Sequence, residues 1–294
     1  MQGTDLVIKR SADGGSTWST LALFYSNSTA DEVNVVGNAA PVQDRRTGRI
    51  FVPFCRNNEQ IFMSYSDDEG LTWSTPQNQP QLVGNDWKWV GVGPPGSLQL
   101  SSGRLLVPGY HTDKVKGDGC ASHGHTIYSD DGGLNWQLGN VDFGRPFLAN
   151  ECQAVELTNG SVLINARTLT NHRIQLLSND GGITFTDPSV VDTLIQPLEG
   201  CEGSIVRDAL TSYLYFSDPY TRTLTRLNMT IFISKDEGST WEFFRSVDTG
   251  SVAYSSMQSF INEQGQSALE ILYERSDNAT VVFEPQEIVY WRVF

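Results

Sequence analysis

An all-β chain folded as a six-bladed β-propeller is predicted by three features. An eight-residue box recurs five times, a turn-and-strand unit keeps step with it, and no capped amphipathic helix longer than a turn or two is written anywhere. The boxes read SADGGSTW (Ser11 to Trp18), SDDEGLTW (Ser66 to Trp73), SDDGGLNW (Ser129 to Trp136), SNDGGITF (Ser178 to Phe185) and SKDEGSTW (Ser234 to Trp241). They begin at residues 11, 66, 129, 178 and 234, in steps of 55, 63, 49 and 56. That period suits one four-stranded sheet with its turns.

Each element follows from its residues. The runs LVIKRS, IFMSYS, HTIYS, IQLLS and TIFIS are strand-like and each leads straight into a box. Within the box the chain reverses through Asp-x-Gly, where the carboxylate accepts turn amides and Gly supplies a positive φ. The aromatic then opens the next strand, and Trp18, Trp73, Trp136 and Trp241 are expected to bury against a neighbour. Acidic runs such as Asp-Asp-Glu-Gly invite a Ca²⁺ reading, but the EF-hand loop with its terminal Glu is absent, so the boxes read as structural clasps. The second repeated unit is TGRIFVPF after Thr47, SGRLLVPG after Ser102 and NGSVLINA after Asn159, a turn glycine followed by a β-branched strand.

Six blades of about 56 residues need about 330. The chain has 294, and its first box is already complete at Trp18. Residues 1–294 are therefore expected to form a single propeller domain lacking its N-terminal strands, with the first blade incomplete. The C-terminal EIVYWRVF reads as a closing strand; without its partner strand it would be an exposed apolar edge, and poor solubility is expected of the 294-residue chain.

Composition narrows the function classes. A formal net charge of −14 argues against nucleic acid and against a polybasic membrane patch. No apolar run is long enough for a transmembrane segment, and MQGTDLVIKRSADGG has no signal-peptide core. The four cysteines, Cys55, Cys120, Cys152 and Cys201, lack CxxC spacing, so neither a metal site nor any other cofactor is expected, while disulfides stay open. Sequons begin at Asn27, Asn159, Asn228 and Asn278 and favour a secretory route slightly. His123 to His125, HGH, reads as a surface loop.

Candidate chemistry lies where charge interrupts strand-like apolar text, because burying a charge is costly without a purpose. Glu151 and Arg167 bracket ECQAVELTNGSVLINAR, Arg226 opens an apolar strand in TRLNMTIFIS, Tyr254 sits in GSVAYSSM, and Glu274 ends LEILYER. Taken singly, each is an ordinary strand-end charge or core tyrosine. NDWKWVGVGPPGS, from Asn85 to Ser97, reads either as an apolar wall for an N-acetyl group or as a plain rim loop. Glu202 in GCEGS is a further candidate for lining the pocket.

Five boxes together with NAAPVQDRRTG, VGVGPPGS, the Glu151-to-Arg167 segment, FSDP, RLNMT, VAYSS and ILYER resemble the sialidase (neuraminidase) family, most closely the lysosomal neuraminidases of animals. The resemblance implies the sialidase fold and an exo-α-sialidase that removes terminal sialic acids from glycoproteins, oligosaccharides or gangliosides with retention of configuration. It places Tyr254 as nucleophile, Glu151 as its base, Arg167 and Arg226 as two of three arginines on the substrate carboxylate, and Glu274 as support for the third arginine. A tyrosine nucleophile is this family's departure from the two-carboxylate glycosidase scheme. A sialoside carries a carboxylate on its anomeric carbon, so an attacking carboxylate would be repelled, whereas a phenol relieved of its proton by Glu is not. Guanidinium forks fit the substrate carboxylate bidentately.

The family's acid Asp and first arginine lie upstream of the first box, and the role of acid is not transferred to Asp5. Impaired turnover is therefore expected of the chain as written. Two rivals remain: a sialic-acid-binding propeller without catalysis, and a protein-binding Asp-box propeller of the sortilin-receptor kind, which gives no reason for Glu151, Arg167, Arg226 and Tyr254 to align. Compartment follows from the resemblance alone, lysosomal or extracellular and secretory. The sequence leaves any stabilising protein partner unidentified.

Overall fold

The computed structural model describes residues 3–28, 32–114, 122–139, 142–280 and 283–294. Cys120, Met1 and the end of the Asn27 sequon lie outside the described residues. The hairpin β1 (Leu6–Ile8) and β2 (Ala22–Tyr25) comes first. A second sheet holds β3 (Val36–Gly37), β4 (Val42–Gln43), β5 (Ile50–Arg56), β6 (Gln60–Ser66) and β7 (Gln77–Asn78). The third holds β8 (Trp87–Val92), β9 (Leu98–Gln99), β10 (Leu105–Asp113), β11 (Ser122–Ser129) and β12 (Gln137–Leu138). The fourth is β13 (Cys152–Glu156), β14 (Val162–Ala166), β15 (His172–Ser178) and β16 (Ser189–Ile195). The last runs β17 (Ser204–Arg207), β18 (Leu214–Pro219), β19 (Leu227–Ser234), β20 (Glu242–Ile261), β21 (Ser267–Ser276) and β22 (Glu287–Arg292). Every pairing is antiparallel, and one short 3₁₀ turn, Pro80–Leu82, is the sole helix among the described residues.

Why the strands are apolar almost throughout is clear from the packing. Successive side chains point to opposite faces, and here both faces are covered. Phe51 joins one core with Val90 and Ile127 of the next sheet, while its neighbour Val52 joins another with Phe24 and Tyr25. Leu105 and Leu106 divide likewise, as do Leu163 and Ile164. The cores thus sit between neighbouring sheets, which stack face to face in chain order as a β-propeller. β20 serves two partners: Glu242 to Ser251 pair with β19, and Ser251 to Ile261 with β21. The six-stranded sheet accordingly packs on itself, with Met229 and Ile231 against Leu269 and Ile271.

The boxes form the expected clasps. Ser66 Oγ accepts the Gly70 amide at 2.8 Å and donates to Asp68 Oδ1 at 2.8 Å, and Asp68 Oδ1 takes the Thr72 amide at 2.8 Å. The same bonds recur around Asp13, Asp131, Asp180 and Asp236. Bonds from the Thr72 hydroxyl, the Thr72 amide and Ser66 hold the Asp68 carboxyl down at about 2. Burial of the box aromatic is less uniform than expected. Trp136 and Trp241 are buried, but Trp18 is 39% exposed. Its hairpin has two strands among the described residues, and the indole stands edge-on to Tyr290 at 5.7 Å.

The ends of the chain meet there. Tyr290 hydroxyl and Arg292 Nη2 donate to the Gly14 carbonyl at 2.9 and 2.8 Å. β22 is the last strand of its sheet, and Ile288 on it is exposed, in keeping with the apolar edge read from EIVYWRVF.

HGH is not a surface loop. His123, Gly124 and His125 lie inside β11, where His111 pairs with His123 in register and Trp87 stacks on His111 at 3.9 Å. A Cβ at Gly124 would overlap the Phe143 ring, so only glycine permits this approach. Burial pulls the His111 imidazole down to about 3. Cys55, Cys152 and Cys201 are buried free thiols.

Candidate active site

The predicted residues converge at one end of the inner strands. Glu151 immediately precedes β13, Arg167 immediately follows β14, Arg226 immediately precedes β19, and Tyr254 lies in the second half of β20. An antiparallel meander returns all these positions to the same end of the stack. Residues 103 positions apart thereby touch: the Tyr254 phenol donates a hydrogen bond to Glu151 Oε1.

Glu151 is 4% exposed, and its other oxygen takes Arg167 Nη1 at 2.6 Å. Arg167 also donates through Nε and Nη2 to the Glu199 carbonyl at 3.2 and 2.8 Å. The turn that presents this carbonyl carries positive φ at Glu199 and Gly200. A Cβ on Gly200 would stand 2.4 Å from the Thr168 carbonyl and 2.6 Å from Arg167 Cγ, so glycine is required for the arginine to lie there. Burial works against the Arg167 charge, but Glu151 and Tyr254 outweigh it and leave the guanidinium pKa raised. Arg226 places its guanidinium carbon 5.5 Å from the Tyr254 ring centroid. Among the described residues it has no ion-pair partner, so its charge is available to an anion.

A β-bulge aims the tyrosine. Val252 pairs with Arg275 and Ser255 with Tyr273, so Ala253 and Tyr254 together oppose Glu274. Bulges of this kind turn a side chain out of the pleat and leave an amide without its ladder partner. Glu274 Oε2 accepts that amide, Tyr254 N, at 3.3 Å. Glu274 was expected to support the third arginine, which the resemblance places upstream of the first box; among the described residues its oxygen accepts the backbone amide of the nucleophile candidate. Burial raises its pKa, with the Tyr254 amide and Arg226 opposing.

Burial, followed by the Glu151 charge, pushes the Tyr254 phenol well above its ordinary value, and Arg167 opposes the rise. The resting phenol is therefore protonated, with its proton directed at a carboxylate. Chemically the arrangement offers a half-buried phenol oxygen paired with a proton acceptor, beside two guanidinium groups.

Beneath the cluster lie groups that the charge-in-strand criterion applies to but that were not singled out. Arg173 in HRIQLLS and Asp218 in LYFSDP are fully buried and stand 3.6 Å apart. Arg173 also donates to Asn165 Oδ1 at 2.7 Å and to the Cys201 carbonyl at 2.6 Å. Glu202 is 1% exposed and lies under the cluster as part of its floor. In the NDWKWVGVGPPGS segment, Trp89 packs on Tyr110 at 4.7 Å, and the Glu151 charge adds to burial in raising the Tyr110 phenol. No group of three His, Cys, Asp or Glu residues suited to a metal ion occurs among the described residues.

Comparison with known proteins defines the class first. A family model described as a BNR repeat-like domain matches residues 2–266, which makes this a BNR-repeat β-propeller. The chain is 30% identical over 279 residues to Sialidase-2 of Cricetulus griseus, an alignment covering 83% of this chain and 73% of that protein. It belongs to the sialidase family. It is also 32% identical over 229 residues to Sialidase-4 of Mus musculus, covering 68% of this chain and 47% of that one. The chain thus spans about half of that relative's length. Among solved structures, Hadza microbial sialidase Hz136 superposes with a TM-score of 0.80 at 28% identity, covering 92% of this chain and 57% of that one. The intramolecular trans-sialidase from Ruminococcus gnavus shares the fold, with a TM-score of 0.79 at 19% identity, over 99% of this chain and 88% of its own.

Proposed function

We propose that the protein is an exo-α-sialidase acting with retention of configuration, with Tyr254 as nucleophile and Glu151 as its base. The observation that carries this is the phenol of Tyr254 directed at Glu151, itself held by Arg167, with Arg226 beside the ring. The substrate carboxylate lies against Arg167 and Arg226. The Tyr254 oxygen attacks the anomeric carbon while its proton passes to Glu151. The new O–C bond forms as the bond to the leaving oxygen breaks, and that oxygen takes a proton from an acid. Water then displaces the phenol: the conjugate base of that acid takes the water proton, and Glu151 returns to Tyr254 the proton it received. Arg167 and Arg226 offset the negative charge of the substrate in a chain whose net charge is −14.

The resemblance puts the acid and a third arginine upstream of Ser11. We further read the chain as one domain of six blades, with β1 and β2 the outer half of the first. Support comes from the boxes, whose glycines lean on the preceding sheet: Gly133 on Phe51, Gly182 on Leu106 and Gly238 on Leu163. Gly15 leans on Tyr290 of the last sheet, as ring closure requires. Substrates in this reading are sialylated glycoproteins, oligosaccharides or gangliosides, in a lysosomal or secretory compartment. The test is a fluorogenic sialoside assay on the complete protein. Tyr254→Phe should abolish turnover while sparing sialic acid binding; turnover within tenfold of wild type would refute the assignment.

A further inference from the structure

One buried carboxyl ties together the two strands that carry the reacting pair. Glu202 sits just before β17, which packs between β13 and β20. Its Oε2 accepts the amide of Ser255, the residue after Tyr254, at 2.8 Å. Its Oε1 accepts Gln153 Nε2 at 2.8 Å, and Gln153 lies two residues beyond Glu151 on β13. Gln153 is fixed in turn, because its Oε1 takes the Ile205 amide and the Ser204 hydroxyl, both at 3.1 Å.

The second half of β20 bonds through one edge to β21, which leaves amides on its other edge to be satisfied elsewhere. Glu202 takes the one at Ser255, and Ser204 Oγ takes the next, at Met257, at 2.9 Å. The bulge that aims Tyr254 is thus held on both edges, by Glu274 at the Tyr254 amide and by Glu202 at the following one.

We propose that Glu202 is a positioning residue for the reaction: by bridging Gln153 and the Ser255 amide, it sets the separation between the Glu151 carboxylate and the Tyr254 phenol. This rests on the reading of Tyr254 and Glu151 given above. Glu202 is buried, so it acts through the backbone of the nucleophile and not on the substrate. Burial raises its carboxyl well above the ordinary range, so glutamine, neutral and of equal shape, is the conservative replacement.

Misplacing a reacting group by about 1 Å costs on the order of 100-fold in rate. In the complete protein, Glu202→Ala should therefore lower kcat roughly 10- to 100-fold. KM should hold within about twofold, since Arg167 and Arg226 make no bond to Glu202. Glu202→Gln should recover only part of the loss, because its single amide oxygen keeps the Ser255 N–H while its NH2 faces Gln153 Nε2 and gives up the other half of the bridge. A ¹³C label at the Tyr254 phenolic carbon should shift in Glu202→Ala and return toward the wild-type position in Glu202→Gln. Wild-type kcat in Glu202→Ala would overturn the proposal, and so would a loss of kcat with the Tyr254 resonance unmoved or without recovery in Glu202→Gln. Tyr254→Phe measured alongside separates the two readings. If it keeps turnover, the nucleophile assignment fails; if it is inactive and both Glu202 variants behave as wild type, only the role of Glu202 fails.

Discussion

Replacing Glu151 by glutamine keeps the volume of the side chain and removes its charge, which makes it the sharpest single perturbation of the cluster. In the native site one carboxylate oxygen accepts the Tyr254 O–H and the other accepts Arg167 Nη1 at 2.6 Å. Glutamine has one acceptor oxygen, so it serves the phenol or the guanidinium but not both. If the guanidinium keeps it, the phenol faces an amide N–H and has no base. General base assistance is worth about 100- to 10,000-fold, or roughly 3–5 kcal/mol of barrier. The Tyr254 phenol is pushed above its ordinary value by burial first and Glu151 second, so the variant relieves only the smaller cause and leaves the proton in place. Stability should also fall, because Arg167 is left without its carboxylate. Breaking a buried pair costs about 3–5 kcal/mol, and the two bonds that Arg167 keeps to the Glu199 carbonyl put the expectation at the low end of that range. The assay is kcat and KM on a fluorogenic sialoside with a thermal melt of the same sample. A kcat within threefold of wild type in folded Glu151→Gln protein would refute the reasoning.

Other perturbations test neighbouring parts of the account. Arg173→Leu strands Asp218, whose oxygens have no hydrogen-bond partner among the described residues, and should cost about 3–5 kcal/mol in denaturant unfolding; unchanged stability would show that the pair is not a structural floor. The His111 imidazole is held at about 3 in the fold against 6.5 unfolded. The unfolded chain therefore binds more protons once pH drops below 6.5, and stability should decline from there, by about 2 kcal/mol at pH 5. Melting curves of wild type and His111→Asn across that range check this, the variant losing less. The box carboxylates act oppositely, since Asp68 is held near 2 by its bonds; their contribution persists down to about pH 4 and is lost as pH falls further toward 2. Gly200→Ala would place a methyl against the Thr168 carbonyl and Arg167 Cγ at a φ of +74°. It should lower substrate affinity along with stability, as read by KM and melting temperature.

How far the fold was legible depends on the range of the interaction. The boxes are local: Ser66, Asp68, Gly70 and Thr72 bond within a handful of positions, so their pattern alone carries the clasp. The expectation for Trp18 failed because burial depends on the next sheet, and its hairpin has two strands. HGH was misplaced for a similar reason, since polar residues in a strand read as surface until Trp87 and Phe143 are seen to cover them. Tyr254, Glu151, Arg167 and Arg226 were found through charges in apolar text and the family resemblance, and the structure gathers them. The bulge at Ala253 and Tyr254, and Glu202 bridging Gln153 and Ser255, depend on register between segments about 20 and 50 positions apart, which no local pattern encodes. Arg173 and Asp218 satisfied the same charge-in-strand criterion and could have been found by it.

The central claim is that the Tyr254 oxygen bonds to the anomeric carbon. The complete protein, treated with 2,3-difluorosialic acid and then digested and mapped by mass spectrometry, tests it directly, because fluorine at C3 slows release of a covalent adduct formed when fluoride leaves C2. The account predicts a fluorosialyl adduct on Tyr254, absent from Tyr254→Phe. An adduct on Glu151, or turnover-competent protein that never acquires one, would contradict it.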